Sequence, residues 1–115
     1  MIKIWHNSRC KKSRESLNYL KEQNCDIEVV EYLKELPSKD DLKQVISELG
    51  ISASELLRTT EQEYKELNLK EENDEDKIIE AMLNNPKLIQ RPIVVKDGKA
   101  VIGRPIQNVK TFLRN

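Results

Sequence analysis

The chain is poor in the residues that usually announce a chemical class. Of its 115 residues only two are cysteine, Cys10 and Cys25, and one is histidine, His6. Two cysteines are too few for a disulfide framework, and adding a single histidine makes no zinc-ligand set, so no bound metal is expected. Aromatic residues amount to 4%, which leaves a small, aliphatic core. Net charge is also missing: 20 basic residues face 20 acidic ones, so a polycation that holds nucleic acid by bulk charge is excluded. No run approaches the ~20 apolar residues needed to cross a bilayer, and the opening "MIKIWHNSRC" lacks the apolar stretch of a secretion signal. The expectation is a monomeric, cytoplasmic protein, one domain over 1–115, with neither nucleic acid nor membrane as a partner. In a reducing compartment a lone cysteine near the start is either inert packing or a reactive thiol.

What is present reads as alternating elements. "MIKIW" alternates, with Ile2 and Ile4 on one face, and predicts a first strand. A helical pattern runs from Lys11 to about Asn24, with Ser13, Leu17, Leu20 and Asn24 on one stripe. The β-branched "DIEVVEY" (26–32) predicts a second strand. Pro37-Ser38 with Asp41 forms a capping-box signal for a helix that carries Leu42, Val45, Ile46 and Leu49 and ends at Gly50. Ser52 with Glu55 and Thr60 with Glu63 predict short helices over 53–57 and 61–68. Asn73 is the expected cap of a helix bearing Ile78, Ile79, Met82 and Leu83, stopped by "NNP" (84–86). The acidic run 70–77 reads as a solvated helix start. "RPIVVKDGKAVIG" (91–103) is a hairpin turning at Asp97-Gly98, and a last helix presents Ile106, Val109 and Leu113. The order β-α-β, helices, β-β-α is an α/β, thioredoxin-like layout with a helical insertion over about 38–90.

The densest chemistry lies in "HNSRCKKSR" (6–14), where the loop after the first strand meets the first helix. Lys11, Lys12 and Arg14 in the first turn oppose the helix dipole, with Arg9 just before them, and such a local conflict marks a functional site. A helix N-terminus surrounded by cations favours an oxyanion and a thiolate, so Cys10 is expected to be ionised and nucleophilic. His6 is expected either to support the thiolate by a hydrogen bond or by its charge, or to be a passive surface residue. Ser13 occupies the fourth position of Cys-Lys-Lys-Ser, where a dithiol enzyme carries its second cysteine, so a monothiol mechanism needs an external thiol. Cys25, beyond a helix about 20 Å long, is expected to be packing. Downstream, Arg58 in "SELLRTT", Arg91 in "RPIVV" and Arg104 in "GRPI" are guanidinium groups suited to bidentate oxyanion binding.

The segments "HNSRCKKSR", "YLKELPSKDDLKQVISELGIS", "LLRTTEQEYKELNL", "LIQRPIVV" and "GRPIQNV", in this order, resemble the glutaredoxin-coupled arsenate reductase family, in particular its short members. The resemblance implies a thioredoxin-like fold with Cys10 as the nucleophile toward arsenate and Arg58, Arg91 and Arg104 as oxyanion ligands. It implies supporting roles for His6, Asn7, Arg9, Ser13 and Arg14, and a cis peptide before Pro92 that places Arg91 opposite Cys10. Arsenate, glutathione and glutaredoxin are the implied partners, glutathione as co-substrate, with no bound cofactor. Ser8 stands where the family usually has proline, and Lys11 and Lys12 replace smaller or less charged residues.

Two other readings compete. An Spx-type transcription regulator shares this layout and binds RNA polymerase, but typically carries Cys-x-x-Cys, which Ser13 removes. A general glutathione-dependent thiol reductase keeps the thiol and changes the substrate, because a cationic loop also suits glutathione's carboxylates.

Overall fold

The computed structural model describes residues 1–114. Its order is β1 (Ile2–Trp5), α1 (Lys11–Glu22), β2 (Ile27–Val30), α2 (Lys39–Leu49), α3 (Gln62–Glu66), α4 (Glu75–Asn84), β3 (Ile93–Lys96), β4 (Lys99–Ile102) and α5 (Gln107–Arg114). Short 3₁₀ turns at Ala53–Leu56, Leu69–Glu71 and Pro86–Leu88 join the middle helices. The chain divides into two compact units, one made of Met1–Glu35 with the segment from Arg91 onward, the other of Leu36–Gln90. No helix among the described residues is long and apolar enough to cross a membrane.

In the first unit the strands form one mixed sheet in the order β2-β1-β3-β4. β1 runs parallel to β2, with Ile4 opposite Val29, and antiparallel to β3, with Ile4 opposite Val94. β3 and β4 form the expected hairpin, and positive φ at both Asp97 (52°) and Gly98 (77°) is the primed turn that matches strand twist. Ile2, Ile4, Leu20, Val94 and Val109 make the core of this unit, with Leu17, Ile106, Phe112 and Leu113 packed against it. The buried stripe of α1 is Ser13, Ser16 and Leu20. Asn24 is not on it: the helix ends at Glu22, and Asn24 is exposed at φ 57° in the left-handed region that asparagine tolerates. The second strand is also shorter than expected, because Tyr32 leaves it to bury its ring 6.1 Å from that of Trp5.

The helical unit buries Leu42, Val45 and Ile46 of α2 and Ile78, Ile79 and Met82 of α4. The expected capping box is present: the Asp41 backbone N–H donates to Ser38 Oγ at 3.0 Å, and the Ser38 N–H donates to Asp41 Oδ2 at 3.2 Å. Gly50 ends α2 at φ 69°. Two caps differ from expectation. α3 begins one residue later, with Glu61 rather than Thr60 at the cap, and Asp74 rather than Asn73 caps α4 by accepting from the Asp76 N–H at 3.0 Å. The acidic run is more than a solvated helix start. Both Glu75 carboxylate oxygens accept from the Ala53 N–H at 3.1 Å, and Asp76 lies 3.6 Å from Lys43 Nζ and 3.9 Å from Lys39 Nζ.

Candidate active site

β1 is paired on both edges, and its last pairing is continued by the His6 N–H, which donates to the Val30 carbonyl at 2.8 Å. The chain then turns tightly. Asn7 Oδ1 accepts from the Arg9 N–H at 3.0 Å, and the Asn7 carbonyl accepts from the Cys10 N–H at 3.0 Å. Arg14 Nη1 donates to the Ser8 carbonyl at 2.9 Å, which ties the exposed loop back to the first turn of α1. Cys10 is the cap residue of α1, with φ −93° and ψ 121°, and its carbonyl accepts from the Arg14 N–H at 3.0 Å. An extended cap residue leaves its side chain beside the free N–H groups of the helix start.

Partial burial of the Cys10 thiol opposes ionisation. Hydrogen bonds to the sulfur from the Ser13 N–H, the Arg91 guanidinium and the Lys12 N–H, together with the Arg91 charge, outweigh it and hold the thiol below its ordinary value of 9.0. Activation therefore comes from backbone amides and one distant arginine. The loop cations do other things: Arg14 holds the Ser8 carbonyl, Lys12 pairs with Glu15 at 3.7 Å, and Arg9 and Lys11 are exposed.

His6 is neither a surface residue nor a cation. It is 5% exposed, and burial, with Lys21 and Arg14 adding to it against an opposing pull from Glu31, lowers it below 6.5. Its Nδ1 lies 2.6 Å from the Ser13 hydroxyl, which also accepts from the Asn7 N–H at 3.0 Å. The hydroxyl keeps a proton and a second lone pair, so it pairs with Nδ1 in either imidazole tautomer. Ser13 thus has two tasks. Its side chain fastens the loop through His6 and Asn7, and its backbone N–H faces the thiol.

The Arg91–Pro92 peptide is cis, as is Arg104–Pro105, and the buried Pro92 carbonyl accepts from the Gly103 N–H at 2.8 Å. His6, Asn7, Arg9, Cys10, Ser13, Arg14, Arg91 and Pro92 all belong to the first unit, and Cys10 and Arg91 meet through a hydrogen bond. Arg104 is half-buried in the same unit, and its carbonyl accepts from Asn108 Nδ2 at 3.1 Å. Arg58 belongs to the helical unit. There its N–H donates to the Leu88 carbonyl at 2.7 Å, and its largely buried guanidinium lies 3.8 Å from Glu61 Oε1. Among the described residues no group of three or more histidine, cysteine, aspartate or glutamate side chains could hold a metal ion. Two features escaped the sequence reading. Gly103 packs so closely that an added Cβ meets Ser16 Oγ at 2.7 Å and Pro92 Cγ at 2.9 Å, and Glu31 and Lys34 line a pocket beside the cysteine loop. Its place in "GRPI" was the only signal for Gly103; nothing in the sequence pointed to Glu31 or Lys34.

A polarised thiol at a helix start, touched by a guanidinium, is the arrangement expected of a nucleophile that attacks an oxyanion. In the comparison with known proteins, the model of the ArsC family matches residues 5–112. The chain belongs to the ArsC family. This ArsC-family chain is 43% identical over 114 residues to an arsenate reductase of Neisseria meningitidis serogroup B, covering 97% of each. It is 51% identical over 110 residues to the uncharacterized protein YfgD of Escherichia coli K12, covering 94% of this chain and 92% of that one. The solved structure of an arsenate reductase from Vibrio cholerae matches with a TM-score of 0.90 at 41% identity, over 95% of each chain. The thioredoxin-like fold of the family is thus shown for this chain, and with it the α/β layout expected from the sequence.

Proposed function

We propose that this ArsC-family chain reduces arsenate to arsenite, with Cys10 as the nucleophile. The observation that carries the reading is the Cys10 thiol, lowered by the Ser13 and Lys12 amides and by Arg91. The thiolate attacks arsenic(V) and a protonated arsenate oxygen leaves as water, giving a cysteine–arsenate ester. Arg91 holds the oxyanion against the sulfur, because a planar guanidinium binds tetrahedral oxyanions in bidentate fashion. Arg58 and Arg104 enter this reading through the family resemblance, as the other two guanidinium groups for the oxyanion. Glutathione supplies the second thiol. Joining its sulfur to that of Cys10 as a disulfide releases two electrons, which take arsenic from +5 to +3. Glutaredoxin then exchanges the mixed disulfide and returns Cys10 to the thiol. No partner thiol stands three positions after Cys10, where Ser13 takes up the loop's hydrogen bonds instead, so the cycle draws its second sulfur from outside the chain.

Arsenate-dependent NADPH oxidation in the presence of glutathione, glutaredoxin and glutathione reductase tests this. Turnover is expected with the native chain and none above background with Cys10→Ser. Turnover that persists in Cys10→Ser removes the nucleophile assignment, and its absence from the native chain removes the arsenate reaction.

A further inference from the structure

The cysteine loop and the segment after β2 enclose a pocket of about 190 Å³ within the first unit. Residues 6–9 form one wall, ending next to the nucleophile; Glu31, Leu33 and Lys34 form the other. Its chemistry is mixed: one carboxylate, two cations (Arg9 and Lys34) and an apolar side chain, Leu33, left 37% exposed. Glu31 Oε1 and Lys34 Nζ stand 3.6 Å apart in a solvent-exposed pair, an arrangement that contributes little to folding. A carboxylate in the wall makes the pocket a poor site for a multiply charged oxyanion. A ligand with an ammonium and a carboxylate on neighbouring atoms fits it, because each of its charges finds an opposite one.

We propose that this pocket seats the α-amino-acid head of the second thiol substrate, the γ-glutamyl end where that thiol is glutathione. The assignment deepens the thiol-dependent reading above and rests on it. The ligand's ammonium meets Glu31, its carboxylate meets Lys34 and Arg9, and its methylene stem lies on Leu33. The volume is below the 300–1,000 Å³ of whole-ligand sites, so the pocket takes the head and leaves the sulfur-bearing remainder outside. Arg9, the last residue of that wall, adjoins Cys10 in the chain, about 3.8 Å away between Cα atoms, so a head seated here leaves its thiol-bearing residue on the loop that carries the nucleophile.

The test is a titration of the full chain with S-methylglutathione, whose blocked sulfur cannot react, followed by NMR at the backbone amides. Saturable shifts at Glu31, Leu33 and Lys34 are expected. Affinity should fall about tenfold for the N-acetylated ligand, and by a similar factor for Glu31→Gln and Lys34→Gln with the native ligand, as befits a lost charge-assisted contact. In turnover the KM for glutathione should rise by the same factor in both variants, more than the KM for arsenate changes. No binding, shifts confined to other segments, or equal affinity for the N-acetylated ligand overturns the assignment. Binding at these residues without arsenate turnover leaves the pocket assigned and removes the arsenate reaction. Turnover that saturates in glutathione without such binding does the reverse.

Discussion

At the scale of single residues, Cys10 and Arg91 make the sharpest expectation. Because the folded thiol is held below 9.0, the rate of Cys10 alkylation by iodoacetamide, followed by mass spectrometry of its peptide, should rise through a midpoint below 9.0. Arg91→Ala removes a hydrogen bond and a positive charge, and the midpoint should climb. A midpoint that does not move would assign the whole effect to the helix-start amides. Gly103 is the second residue whose neighbours decide an outcome. In Gly103→Ala the new methyl group meets Ser16 Oγ at 2.7 Å, Pro92 Cγ at 2.9 Å and Val109 Cγ2 at 3.0 Å, and overpacking of this kind costs about 1–3 kcal/mol. Thermal unfolding should show a melting point lower by several degrees. The buried Ser16 hydroxyl has no hydrogen-bond partner among the described residues, so Ser16→Ala should be close to neutral alone and should restore part of the loss in the double variant. Cys10 was legible in the sequence because its loop breaks a local charge rule. The helix start that lowers its pKa was legible too, and the family resemblance implied Arg91 opposite Cys10; the loop cations expected to share that work are exposed or engaged elsewhere.

At the scale of elements, local chemistry was legible wherever a side chain answers its own backbone. Ser38–Asp41 and Gly50 bracket α2 as the sequence predicted, and Ser38→Ala should lower stability by about 1 kcal/mol in urea unfolding, the usual cost of a lost cap. Where two residues compete for one cap, spacing does not decide between them. Asp74 displaces Asn73 because its carboxylate reaches the Asp76 amide, and Glu61 displaces Thr60 at the start of a helix of only five residues. Tyr32 reads as the end of a strand in "DIEVVEY" but leaves it for the ring of Trp5, a choice made by a tertiary contact. The same limit hid Glu75, whose carboxylate serves the amide of Ala53 in another element.

At the scale of the whole molecule, the order of elements and the α/β layout were legible because each strand and helix announces itself, whereas the burial of His6 was not, since one residue at a strand end carries no periodicity. That burial has a consequence for acid stability. His6 titrates below 6.5 in the folded chain, so the unfolded chain binds the extra proton first. Its contribution is complete above 6.5 and is lost as the pH falls through that value toward the folded pKa. Urea midpoints measured from pH 7.5 down to 5 should decline, and His6→Gln should flatten the decline; an unchanged slope would place the acid sensitivity in other groups. The pairing of β1 with β3, Lys3 opposite Val95, has a different kind of consequence. A ribosome delivers β1, α1 and β2 first and makes the entire helical unit before β3 exists. At about 5–20 residues per second, on the order of 4–16 s separate the synthesis of Cys10 from that of Arg91. Throughout that interval the growing chain carries β1 with an open edge and a thiol lacking its guanidinium. The sulfur thus gains its guanidinium only after the helical unit has been made, and truncated chains that stop before Arg91 carry a thiol lowered by the helix-start amides alone.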